Sequence, residues 1–92
     1  MGVKARQKPE RLAEKLVQIR EALGLSQNGM IRQLGMELTQ NRISDYELGK
    51  SEPPLALILR YARAVGVCVE VLIDDDLDLP DKLPGKSRHS HR

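Results

Sequence analysis

Ninety-two residues with a formal net charge of +2 suffice for one small domain, at a length where stability is about 5–15 kcal/mol. Tyr46 and Tyr61 are the only aromatic residues and Cys68 the only cysteine, so the core is expected to be Leu, Ile, Val and Ala, with no internal disulfide, no cysteine-based zinc site and no cofactor. No apolar run reaches ~18 residues and the N-terminus is basic without an apolar stretch, so neither a membrane span nor a signal peptide is expected, and the expected location is the cytoplasm.

Met1 to Lys8 is polar and aperiodic, with Lys4, Arg6 and Lys8, and is expected to be a flexible basic arm over residues 1–8. Tracking a phosphate backbone and having no role are equally open for it. Pro9 suits the first position of a helix, and Leu12, Leu16, Ile19 and Leu23 fall on one face as far as Gly24. The opposite face carries Glu10, Arg11, Glu14, Lys15 and Glu21 and reads as a solvated surface, with Arg20 at the edge of the apolar stripe.

Ser26 is an N-cap residue type, and Met30, Ile31 and Leu34 follow at helical spacing until Gly35 offers a stop. After a turn, Thr39 caps a third helix in which Ile43 and Tyr46 face inward, with Leu48 flanking, and Gly49 ends it. Its outer face holds Gln40, Asn41, Arg42, Ser44 and Asp45. Amides and guanidinium offer the paired donors and acceptors that base edges in a major groove require. Ser51-Glu52-Pro53-Pro54 starts a fourth helix with Leu55, Ile58, Leu59, Ala62 and Val65 as its buried stripe and Gly66 as its stop. Val67 to Ile73 is rich in β-branched residues, but a strand would have no partner in this chain, so a short fifth helix is expected. From Asp74 to Arg92, prolines, a glycine and dense charge without a periodic apolar face predict a disordered tail. Its His89 and His91 read as solvated rather than metal-binding.

Gly24-Leu25-Ser26-Gln27, Leu34-Gly35, Ile43 to Lys50, Glu52-Pro53-Pro54-Leu55 and Ala64-Val65-Gly66-Val67, taken in order, resemble the XRE-type helix-turn-helix family of phage repressors, Cro proteins and bacterial regulators. The resemblance covers residues 9 to 73 and implies an all-α, compact, five-helix lambda-repressor-like domain whose third helix reads the major groove. It implies further that Gln27 contacts phosphate, that Gln40, Asn41 and Asp45 approach bases, and that Arg42, Ser44 and Lys50 hold the backbone. Arg20 and Glu47 occupy positions that pair in the family.

Several positions depart from that pattern. The turn from Gly35 to Thr39 is longer than the ~3–4 residues typical of helix-turn-helix units. Ile31 stands where a small Ala usually sits, which predicts that Ile31 is buried and that the longer turn spans a wider gap between the second and third helices. Asp45 stands where a cation or amide is common, and acceptance from a cytosine amine and a structural or specificity-limiting role are equally open for it. Gly29 inside the second helix costs ~1 kcal/mol relative to Ala with no visible return.

An enzyme is the class least compatible with this sequence, which offers no nucleophile and base set and no glycine-rich phosphate loop. Helix periodicity alone favours an ordinary bundle whose polar face meets only water. The resemblance favours a transcriptional regulator binding double-stranded DNA as a homodimer on a palindromic operator. The alternative is an antitoxin-like or other protein-interaction module with an unidentified protein partner.

Overall fold

The computed structural model describes residues 9–81 and 83. Among them the chain forms five α-helices and no strand: α1 (Leu12–Ala22), α2 (Gln27–Leu34), α3 (Gln40–Leu48), α4 (Leu55–Val65) and α5 (Val69–Ile73). The basic arm expected over residues 1–8 and the end of the expected tail, with His89 and His91, lie outside the described residues.

Local chemistry sets the boundaries of the central helices. The Ser26 hydroxyl accepts the Gly29 N–H at 3.0 Å and Thr39 Oγ1 accepts the Arg42 N–H at 3.2 Å, so each cap satisfies one of its helix's orphan donors. Gly35 (φ +66°) and Gly49 (φ +79°) end α2 and α3 in the left-handed conformation that a side chain would disfavour. The core is aliphatic apart from its tyrosines: Leu12, Leu16 and Ile19 of α1 meet Met30, Leu34, Ile43 and Tyr46, and Leu57, Ile58, Tyr61, Ala62 and Val65 close it from α4, with Leu72 from α5. α1 is the spine, packed against α3, α4 and α5, while α2 lies on α3 and α4.

Four expectations are corrected. Leu55, the first residue of α4, is 69% exposed rather than part of the α4 stripe, so burial begins only in the body of the helix. The inward face instead runs through Leu57 and Ile58, Tyr61 and Ala62, and Val65. Lys15, placed on the solvated face of α1, is fully buried. Its ammonium donates to the carbonyls of Val71 (2.7 Å), Asp74 (3.0 Å) and Leu77 (2.7 Å), one for each of its three N–H groups.

The beginning of the expected tail is likewise ordered structure. Asp75 accepts the backbone N–H groups of Glu10 (2.9 Å) and Arg11 (3.0 Å), and Arg11 donates to the Asp75 carbonyl (2.8 Å) and to the Asp78 carboxylate. Arg11, at the N-cap of α1, makes no capping bond with its own side chain. Asp75 supplies that cap from the far end of the domain.

Ile31 is half-buried against the core rather than enclosed by it. Met36 and Leu38 in the turn also pack on that core, so the extra turn residues contribute apolar contact of their own. Gly29 is buried, and a Cβ there would sit 3.3 Å from both Leu25 Cδ2 and the capping Ser26 Oγ. That close approach accounts for the glycine: the helical propensity an Ala would add is offset by pressure on the cap.

Candidate nucleic-acid interface

α2 and α3 present their N-termini through Gln27 and Gln40, the first residue of each helix. Neither first turn contains an acidic residue, so no side chain of its own first turn offsets the partial positive charge of either helix start. On α3, Gln40, Asn41 and Arg42 are exposed, Ser44 and Asp45 are half-buried, and Lys50 is exposed just beyond the helix. The Asp45 carbonyl accepts the Lys50 N–H at 2.9 Å, which shapes the helix end.

Behind this face lies a continuous polar row. Arg20 donates through Nε (2.7 Å) and Nη2 (3.1 Å) to the two carboxylate oxygens of Glu47, and through Nη1 to the Leu25 carbonyl (2.9 Å). Glu47's hydrogen bonds raise the Arg20 pKa above its ordinary value, against the opposing effect of burial. Gln27 Nε2 donates to Glu47 Oε1 at 3.0 Å, and Gln40 Nε2 donates to Gln27 Oε1 at 3.2 Å. Arg20, Glu47, Gln27 and Gln40 are thus brought together. Among the described residues no side-chain hydrogen bond ties Ser44, Asp45 or Lys50 to this row.

Arg60 of α4 belongs to the same architecture, although its place in the sequence gives no sign of it. Its Nη1 donates to the Leu34 carbonyl at 2.7 Å, capping the C-terminal end of α2 where the turn to α3 begins. From that turn into α3, Met36, Leu38, Thr39 and Arg42 border an open groove. The arrangement offers amides able to make paired bonds to a base edge, flanked by cations suited to phosphate. Among the described residues no group of His, Cys, Asp or Glu is arranged to hold a metal ion, and no helix is long and apolar enough to cross a membrane.

No curated protein matches the chain. A family model described as a helix-turn-helix domain matches residues 11–75, from the N-cap of α1 to the Asp75 that caps it. With that match laid over five helices in this order, the chain belongs to the helix-turn-helix domains of the XRE, Cro-like type.

Proposed function

We propose that this protein is a sequence-specific DNA-binding transcriptional regulator that reads the major groove with α3, as a dimer on a palindromic operator. The observation that carries this reading is the exposed start of α3, where Gln40 and Asn41 stand at a helix N-terminus free of acidic residues. In this reading Gln40 and Asn41 lie against base edges and Asp45, one turn further on, faces a cytosine amine. Gln27, Arg42, Ser44 and Lys50 hold phosphates and set the register. One such domain spans too few base pairs for a specific site, so two copies about one helical turn of DNA apart are required.

In vitro selection of bound duplexes tests the proposal. The expected result is a palindrome with half-sites ~10 base pairs apart and retention that weakens steeply with salt. A second reading, a protein-interaction module on the same fold, draws support from Leu48 and Leu55, which are 66% and 69% exposed. Recovery of no motif, with salt-insensitive retention of duplex, would favour that second reading.

A further inference from the structure

We propose that Glu47, whose side chain is only 5% exposed, fixes the orientation of the Gln40 amide through Gln27 and thereby sets which base that amide accepts. The inference rests on Gln40 being a base contact. Both oxygens of Glu47 are engaged by Arg20, so the group is an ionised carboxylate, and a carboxylate only accepts. The end of Gln27 that faces it must therefore be the NH2 group, at 3.0 Å. That leaves the Gln27 carbonyl oxygen pointing away from Glu47, toward Gln40, as an acceptor. Gln40 meets it with Nε2 at 3.2 Å. A reversed Gln40 amide would set carbonyl oxygen against carbonyl oxygen with no proton between them.

The polarity of the row is thus imposed from its buried end. Gln40 is left with its Oε1 and one N–H to offer in a fixed order, and adenine presents N7 and N6–H2 in a fixed order too. An amide free to flip matches several edges equally, whereas a locked one discriminates. Nothing in the Arg20–Glu47 ion pair itself requires the additional bond from Gln27.

Two variants test this by selection of bound duplexes, read at the base pair where Gln40→Ala relaxes the wild-type preference. Glu47→Gln keeps the size of the side chain but gives position 47 a donor as well as an acceptor, so the row loses its direction. Gln27→Met interrupts the row and leaves Arg20 and Glu47 paired. In both, discrimination at that one pair is expected to fall about tenfold, with the other positions of the motif unchanged. Gln27→Met additionally weakens all duplexes alike through its lost phosphate contact. Circular dichroism checks folding, and if Glu47→Gln does not fold, Gln27→Met decides alone. Wild-type discrimination at that pair in the folded variants would overturn the role of Glu47. Failure of the wild-type protein to select any motif would instead remove the base-reading assignment of Gln40, and the role of Glu47 with it.

Discussion

Lys15 reverses the usual placement of a lysine: the stem threads into the core and the ammonium ends among three carbonyls with no water needed. Lys15→Met keeps the stem and deletes the donors, leaving those carbonyls without their charged partner. A loss of about 2–3 kcal/mol is expected in urea denaturation. Tyr61 presents the opposite case. Its ring is fully enclosed, and among the described residues its hydroxyl has no hydrogen-bond partner. Burial, with the Glu47 charge adding to it, pushes the Tyr61 pKa up and keeps the phenol neutral. Tyr61→Phe removes an unsatisfied group at constant shape, so thermal unfolding is expected to show stability unchanged or higher by up to ~1 kcal/mol. Arg20→Ala differs from both, because it strands the Glu47 carboxylate, 5% exposed, without its partner. That substitution is expected to lower stability by about 3 kcal/mol, at the lower end of what breaking a buried pair costs.

At the level of elements, α1 is held at both ends: its N-terminus by the segment from Asp74 to Asp78, its C-terminal half by Glu47 of α3. The Glu10 and Arg11 N–H groups hold the Asp75 carboxyl below its ordinary pKa, with the Lys15 and Arg11 charges adding to the effect. Asp75 therefore binds its proton more weakly in the folded chain than in the unfolded one. Its contribution to stability is present above the unfolded value of ~3.9 and is lost as pH falls through the depressed folded one. Acid titration followed at the Glu10 and Arg11 amide resonances is expected to reveal that step, and Asp75→Ala to abolish it. Ile31→Ala belongs to this scale as well. Because Ile31 is half-buried, about 1–2 kcal/mol is expected in place of the ~2–5 kcal/mol of an enclosed site. The helix caps, the glycine stops and the aliphatic stripes of α1 and α2 were legible in the sequence because each is a local pattern of type and spacing. Lys15 and Asp75 were not, since their roles depend on partners about sixty residues away, and a charged side chain carries no local mark of what it will meet. Leu55 was misplaced because periodicity gives a helix face without saying where in the first turn burial begins. Gln40 was legible as an exposed polar position and Gln27 only through the family resemblance, but their bonded order emerged only once Glu47 had a place in space.

For the whole molecule, the proposed division between base contacts and phosphate contacts makes separable predictions. Arg42→Ala and Lys50→Ala are each expected to weaken all duplexes alike and to reduce the slope of log affinity against log salt by ~1. Gln40→Ala and Asn41→Ala are expected to relax sequence preference while leaving that slope in place. If both amide variants select the wild-type motif, α3 is not the reader. The bond between Asp75 and the start of α1 also has a bearing on the order in which the domain assembles. It joins residues 64 apart in sequence, and the entropy of closing a chain segment rises with its length. Helices that meet neighbours closer in sequence are expected to condense first, with the latch at Arg11, Lys15 and Asp75 fastening after the rate-limiting step. Stopped-flow measurements on Asp75→Ala are then expected to give a refolding rate close to wild type and a faster unfolding rate, so that the latch governs how long the folded domain lasts rather than how quickly it forms.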